Sequence, residues 1–467
     1  MSVGPSVATT PIPGLLVLRL PVHGDSRGWV KENWQHARMT ALGLPDFGPV
    51  QNNVSFNATR GVTRGIHAEP WDKLVSVASG RVYAAWVDLR AGSSFGTTFA
   101  IEVGPDTAVF VPRGVGNSYQ ALVDGTVYIY LVNDHYVPGG SYPALNLADE
   151  TVAISWPIPL AEAEVSDKDR SSPRLSGVQP MEPRKVLILG AQGQLGRALT
   201  ALYPTATSLD RGQLDLTNGA AVRAIPWHDY DVVVNCAAYT TVDEAETIAG
   251  RRIAWEVNAA APAVLARTAA EHRLTIVHYS SDYVFDGRQL GGGYSEDDPV
   301  APLGVYGQTK AAGDFAVATA PRHYILRTSW LVGDGNNFVR TLQRLAREGA
   351  SPQVIDDQVG RLTFSDELAR ATQHLLTSGA PYGTYNVTNS GTPRSWSEYA
   401  RRVFTQVGRS PDDITPISTE EYYVDKDGVA PRPRFSVLSL AKLTASGWVP
   451  TDADQALDAY LAKKPAR

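Results

Sequence analysis

The first third of the chain alternates short apolar runs with glycine, and the pattern changes character only once. Leu74–Val77, Val82–Val87, Ala108–Val111 and Val127–Val132 are rich in Val, Tyr and Ala, and Gly80, Gly92, Gly104, Gly114 and Gly125 punctuate them. Turn signals every 8 to 15 residues around strands of this length predict an all-β sandwich or barrel. After Trp156 the apolar periodicity fades, and residues 166–184 carry charges, Ser171, Ser172, Pro173, Pro180 and Pro183, which read as a linker. From Lys185 a strand, Val186–Leu189, runs into a glycine turn and then into Leu195, Leu199 and Leu202 at helical spacing. Strands are expected again at Val232–Asn235 and Thr275–Tyr279, and helices at Ile253–Ala270 and Lys310–Ala320. Strands alternating with helices imply a parallel, doubly wound sheet. Two domains are therefore expected, an all-β domain over 1–165 and an α/β domain over 185–467.

Composition narrows the function. A chain of 467 residues with 42 Lys+Arg against 48 Asp+Glu is net −6, which offers no broad basic field for a nucleic-acid backbone. With 43% hydrophobic and 19% charged residues it reads as an ordinary globular protein. No run approaches the ~18 apolar residues of a membrane span. The first twenty residues carry Pro5, Pro11 and Pro13 and no positive charge before Arg19, unlike a signal peptide. A single cysteine, Cys236, excludes an internal disulfide and fits a reducing, cytoplasmic setting. Neither a nucleic acid nor a membrane is expected as partner.

Gly190, Gly193 and Gly196 follow a predicted strand and open a predicted helix, where backbone N–H groups and the helix N-terminus can meet a pyrophosphate. Asp210, some 20 residues on, suits ribose hydroxyls and NADH, whereas the adjacent Arg211 suits a 2′-phosphate and NADPH. Tyr306 and Lys310 share a helix face if that segment is helical, and an ammonium lowers the pKa of a nearby phenol so that it can exchange a proton with a carbonyl oxygen. The same spacing recurs at Tyr422 and Lys426, in an Asp-, Gly- and Pro-rich stretch without helical pattern. Only Tyr306 follows a strand ending in Ser280-Ser281-Asp282.

These residues, with Asn235–Thr240, Val242–Glu246, Ser281–Gly287, Arg327–Trp330, Asp357-Gln358 and Arg432-Pro433, resemble the extended short-chain dehydrogenase/reductases, and among them the dTDP-4-dehydrorhamnose reductases. The resemblance implies a Rossmann-type fold with a small substrate-binding subdomain, and Ser281, Tyr306 and Lys310 as catalytic trio. It implies NAD(P)H contacts at Gly190, Gln192, Gly193, Gln194, Leu195, Gly196, Asp210, Arg211, Asp215, Leu216, Ala237, Ala238 and Tyr239, besides Tyr306 and Lys310. Thr240, Asp282, Tyr283 and Trp330 would face the sugar nucleotide. Ser281 stands where the family usually has Thr, and keeps the hydroxyl.

In the first domain, Asp25–Gly28, Gln51–Ser55 and Gly61–His67 together resemble the dTDP-4-dehydrorhamnose 3,5-epimerases, a cupin-like jelly-roll family that needs no metal. The resemblance implies His67 as base, oriented by Asp149, Tyr130 as opposing acid and Lys73 as stabiliser of the enolate. Arg27, Glu32, Gln51, Asn53, Arg64 and Asn117 would hold a dTDP-sugar, and the family implies a homodimer through this domain. Two departures stand out. Asn117 replaces a usual second histidine and cannot transfer protons at neutral pH, and Ala68-Glu69 replace an aromatic and Gln. The expected function is a bifunctional enzyme that epimerises dTDP-4-dehydro-6-deoxy-glucose at C3 and C5 and reduces its 4-ketone to dTDP-L-rhamnose. Two alternatives stand beside it: a first domain that only binds nucleotide sugar, or a different 4-keto deoxysugar epimerised at one carbon.

Overall fold

The computed structural model describes residues 4–135, 142–289, 291–424, 426 and 428–462. The chain divides into two compact units, Met1–Pro183 and Arg184–Arg467.

The first unit is two antiparallel sheets. Six strands lie in the order Ser6–Thr9, Leu16–Arg19, Thr107–Val111, Lys73–Ser79, Thr126–Val132, Gln51–Asn57, and four in the order Thr63–His67, Val115–Ala121, Val82–Asp88, Thr98–Val103. The glycine-punctuated runs became these strands within one or two residues at each end. Val75, Val77, Val82, Trp86, Val109, Val115 and Tyr128 fill the space between the sheets. The central strand Lys73–Ser79 is buried over its first five residues, whereas edge strand Gln51–Asn57 alternates half-buried and exposed positions up to Phe56, as a one-sided strand must.

Residues 166–184 are not a free linker. Ser166 caps a short helix, Asp167–Arg170, by accepting from the Asp169 N–H. Asn146 Nδ2 donates to Arg170 O at 2.7 Å, and Met181 exchanges backbone hydrogen bonds with Leu89 and Ala91. Ser171, Pro173 and the charged side chains broke the apolar pattern because this segment pays its backbone into loops of the first unit rather than into a ladder of its own.

The second unit is a six-stranded parallel sheet ordered Thr207–Leu209, Lys185–Leu189, Tyr230–Asn235, Thr275–Ser281, His323–Thr328, Gly383–Asn386. One face packs Leu265, Ala266 and Ala269 against Leu187 and Ile276, the other packs Leu199, Leu368 and Leu375 against Ile188 and Val277. A smaller cluster around Val339, Leu342, Tyr399 and Phe404 forms the core of the subdomain beyond it. The order reverses between Lys185–Leu189 and Tyr230–Asn235, which opens a crevice at their C-terminal ends.

Two helices differ from expectation. The predicted Ile253–Ala270 is Ile248–Trp255, a π-turn at Glu256–Ala260, and Ala261–His272, because the π-turn admits the buried Asn258 side chain. The predicted Lys310–Ala320 begins earlier and spans Val305–Val317, so Tyr306 and Lys310 both lie within it. Gly307 lets that helix press on the end of strand Thr275–Ser281, since a Cβ there would lie 2.2 Å from Tyr283 O. Gly307→Ala is expected to lower stability by about 1–3 kcal/mol, read as a lower urea midpoint with an unchanged slope.

Candidate active sites

Two sheets converge on the cavity of the first unit. Strand Thr63–His67 and strand Val115–Ala121 bring Arg64, His67, Tyr119 and Asn117 from one sheet, and the other sheet brings Ser55, Lys73, Tyr128 and Tyr130. Its volume is about 280 Å³. His67 and Tyr130 thus line one cavity from different sheets. Tyr130's phenol is raised by burial and by the Glu69 carboxylate, which keeps it a proton donor. Lys73 is buried and pairs closely with Glu69, the residue that replaces the family's Gln. Tyr128 stacks on Tyr119 with ring centres 4.1 Å apart and donates to Asn117 Oδ1 at 3.1 Å. Asn117 thus fixes a phenol where a second histidine would stand.

The expected partner of His67 is corrected. Asp149 is buried away from the ring: its oxygens accept from the N–H groups of Thr151, Val152 and Leu175 at 2.9, 3.0 and 2.7 Å. The carboxylate on the histidine is Asp169, with Oδ1 at 2.8 Å from His67 Nε2. Burial works against the charge of Asp169, but the His67 hydrogen bond, with Gly65 N–H and Ser166, holds it below the usual carboxylate range. Asp149 keeps a spacing that suits the family, yet it serves a loop. Asp169 escaped notice because it lies in the segment read as linker; Ser166 three residues before it is the helix-cap signal that marks the turn.

The remaining expected contacts divide. Arg64 lines the cavity and donates to Asn57 Oδ1 at 3.2 Å. Gln51 and Asn53 share the Ser55 side of their strand and are hydrogen-bonded to each other at 2.9 Å. Arg27 and Glu32 do not line this cavity: Arg27 pairs with Asp25 on an exposed two-stranded ribbon, Val22–Asp25 with Gly28–Lys31, and Glu32 pairs with Arg38.

In the second unit the sheet crevice holds a cleft of about 490 Å³, lined by Gly190, Gln192, Gly193, Asp210, Arg211, Asp215, Leu216, Ala237, Ala238 and Tyr239. Gly190 has φ +80° and Gly196 sits so close that a Cβ would meet Gly190 O at 2.2 Å, so these two positions admit only glycine. Gly193 caps helix Gln194–Leu202 without a side chain and leaves its first N–H groups open. Asp210 accepts from Gly212 N, Gln213 N and Gln192 Nε2, which aims its carboxylate beside the exposed Arg211.

A second cleft, about 680 Å³, shares Gln192, Gly193, Cys236 and Ala238 with the first and continues past Gln194, Leu195, Gly196 and Thr240 to Ser281, Asp282, Tyr283, Tyr306, Lys310 and Trp330. Ser281 Oγ donates to Asp282 Oδ1 at 2.9 Å. Burial pushes Asp282 up to about 6. Tyr306 is pushed up to about 12 by burial and by the Asp282 charge, against the Ser281 hydrogen bond, and its ring meets Tyr283 edge to face at 5.6 Å. Lys310, 2% exposed, donates to Tyr279 O at 2.6 Å. Trp330 holds φ +44°, a costly conformation for a bulky residue, and stacks on Trp396 at 3.6 Å. The glycine cradle with Asp210 and Arg211 fits the phosphates and ribose of a dinucleotide, and the adjoining cleft gathers Ser281, Tyr306 and Lys310. Among the described residues no group of three or more His, Cys, Asp or Glu side chains could hold a metal ion, and no helix is long and apolar enough to cross a membrane.

Both units are thus arranged to move a proton beside a carbonyl, the first as a cupin-type epimerase and the second as a short-chain dehydrogenase/reductase. The chain belongs to the dTDP-4-dehydrorhamnose reductase and 3,5-epimerase families: residues 184–465 match the RmlD substrate binding domain, and residues 9–177 match dTDP-4-dehydrorhamnose 3,5-epimerase. The first unit is similar to the "Protein RmlC homolog" of Streptococcus pyogenes serotype M6, 47% identical over 37% of this chain and 90% of that protein. The second is similar to the dTDP-4-dehydrorhamnose reductase of Mycolicibacterium smegmatis, 36% identical over 57% of this chain and 81% of that protein. It is also similar to the crystal structure of dTDP-4-dehydrorhamnose reductase from Bacillus anthracis in complex with NADP, with TM-score 0.55 and 32% identity over 60% of this chain and 98% of that chain.

The two aspartates separate by experiment. Asp169→Asn is expected to slow solvent deuterium exchange into a 4-keto sugar, measured per folded molecule, by about 10²-fold or more. Asp149→Asn is expected to cost about 1–3 kcal/mol of stability, because its amide would turn a donor toward a backbone N–H, and to leave exchange per folded molecule within a few-fold.

Proposed function

We propose that this chain is a bifunctional enzyme that epimerises a dTDP-4-dehydro-6-deoxy-glucose at C3 and C5 and reduces the 4-ketone to dTDP-L-rhamnose. The observation that carries this reading is that in each unit the side chains expected to transfer protons line one cleft, His67, Lys73 and Tyr130 in the first and Ser281, Tyr306 and Lys310 in the second. His67, fixed by Asp169, removes a proton next to the C4 ketone. Lys73 stabilises the oxygen on which negative charge develops, and Tyr130 returns a proton from the opposite wall. A first domain that only binds nucleotide sugar is disfavoured, since the dyad, the lysine and the phenol all stand in the same cavity.

In the second unit the cofactor, NADPH, supplies hydride to C4 when bound. The Bacillus anthracis relative solved with NADP supports this choice, as does Arg211 at the ribose end of the cleft. Tyr306 donates its proton to the ketone oxygen, Ser281 orients that oxygen, and Lys310 supplies the positive charge that eases proton loss from the phenol. Thr240, Tyr283 and Trp330 bound the sugar's side of the cleft.

The reading includes a homodimer through the first unit. Strand Gln51–Asn57 is a sheet edge that exposes Val54 and Phe56, and the Val22–Lys31 ribbon pairs with neither main sheet while exposing Trp29 and Val30. A ribbon crossing to a second copy would bring Arg27 and Glu32 to a cavity they do not reach within one chain. Sedimentation is expected to give a dimer that Val54→Asp with Phe56→Asp converts to monomer; an unaltered dimer would remove this edge from the interface.

The two activities are expected to part cleanly in the full chain. His67→Asn abolishes deuterium exchange without cofactor and leaves reduction of an already epimerised ketone, whereas Tyr306→Phe leaves exchange and lowers NADPH oxidation by about 10²–10⁴-fold. NMR of the product sugar then identifies the stereocentres changed, and inversion at a single carbon would replace this reading with the other deoxysugar pathway.

A further inference from the structure

One fully buried titratable group of the second unit has no part in the chemistry above. His278 lies inside strand Thr275–Ser281 at 0% exposure, with Nδ1 3.1 Å from Asn235 Nδ2 and Nε2 3.5 Å from Lys310 Nζ. The far end of the Asn235 amide fixes which atom faces the ring, because its Oδ1 accepts the Ala237 N–H at 3.2 Å. The NH₂ therefore points at His278, and Nδ1 must accept. Burial and the Lys310 charge hold the ring neutral, so its one proton sits on Nε2 and is aimed at the lysine nitrogen. Gly313 makes the contact tight: a Cβ there would lie 3.3 Å from Nε2 and 2.2 Å from Asn258 O.

An ammonium has only donors, so it cannot accept the Nε2–H, whereas an amine lone pair can. The remaining groups around Lys310 come from every neighbouring element. Tyr306 and Asp314 lie on its own helix, Asp282 beyond the strand end, Cys236 beyond the adjacent strand, and Arg327 on the next strand, paired to Asp314 at 3.1 Å. Burial lowers Lys310 to about 8, with Asp314 opposing.

We propose that His278 is a positioning residue for the reduction: held by Asn235 as the Nε2–H tautomer, it presents a donor to Lys310 and makes the amine a ready partner of the ammonium while Tyr279 O fixes the nitrogen. The proposal rests on the reductase reading of this site. After Tyr306 has given its proton to the ketone oxygen, the ammonium gives one up as the phenol is restored, and the resulting amine accepts from His278 until solvent returns the proton. The proton count balances with solvent as the final donor, and the hydride comes from the nicotinamide cofactor.

The ring ¹⁵N shifts of the full chain, labelled at histidine, read the tautomer directly. The expected result is an unprotonated Nδ1 and a protonated Nε2 for His278. Asn235→Asp keeps an acceptor for Ala237 but offers the ring only an acceptor, so the proton is expected to move to Nδ1, which also assigns the signal. A protonated Nδ1 or an imidazolium in the unaltered chain, or one tautomer in both proteins, overturns the proposal. In His278→Gln the amide can turn its oxygen to the ammonium, so the alkaline limb of kcat/KM for ketone reduction is expected to rise by about one pH unit. An unmoved limb overturns it as well. Should the unaltered chain reduce no 4-keto sugar, the reductase reading fails, while the tautomer is still measured.

Discussion

The constraint on which the second unit depends is the close seating of helix Val305–Val317 against the turn Asp282–Val284, which follows strand Thr275–Ser281, and against the π-turn Glu256–Ala260. Gly307 and Gly313 remove the two side chains that would hold the helix off, one against Tyr283 O and one against Asn258 O. The closeness buries Lys310 against the carbonyl of Tyr279, brings Tyr306 to the cleft that carries Ser281, and sets His278 Nε2 3.5 Å from Lys310 Nζ. Burying an ammonium costs several kcal/mol unless polar atoms receive it. Here a backbone oxygen and the charge of Asp314 do so, and Asp314 is itself held by Arg327. Close packing and the electrostatics of the buried lysine therefore go together, since the glycines that seat the helix lie on the same helix as Lys310.

The first unit solves a similar problem by other means. The base and acid proposed for it, His67 and Tyr130, come from different sheets, so their spacing is set by the packing of the two sheets rather than by a helix face. The positive charge of Lys73 is met by Glu69 and not by a backbone carbonyl. That pairing places the two side chains together beside Tyr119, Tyr128 and Tyr130, where an isolated ion would be costly. Asn117 is consistent with this arrangement: it accepts from Tyr128 and stiffens the aromatic wall, a structural service that needs no titrating group.

Strands and glycine turns were legible because period-two burial and a switch-point loop leave local marks. Gly190 and Gly196 are readable since no other residue fits, and Tyr306 with Lys310 since a strand ending in Ser281 precedes them. Asp169 was not legible in the same way. Its pairing with His67 spans 102 residues, and the segment around it lacks any apolar rhythm. Asp149 offered the right residue type at a plausible spacing, but three backbone N–H groups claim its oxygens first. Likewise Arg27 and Glu32 could be named from a resemblance but not brought to the cavity by one chain, since their ribbon leaves both main sheets.

His278 shows why buried polar groups elude pattern reading altogether. In sequence it is one apolar-strand position occupied by histidine, and nothing nearby distinguishes a ligand from a packed ring. Its meaning comes from three residues on three elements: Ala237 orients Asn235, Asn235 fixes the ring's acceptor, and the ring's remaining proton faces Lys310. Each link is a choice between donor and acceptor, and each is forced by the one before it. A chain of such choices connects Ala237, in the glycine-lined crevice, to Lys310 through the side chains of Asn235 and His278.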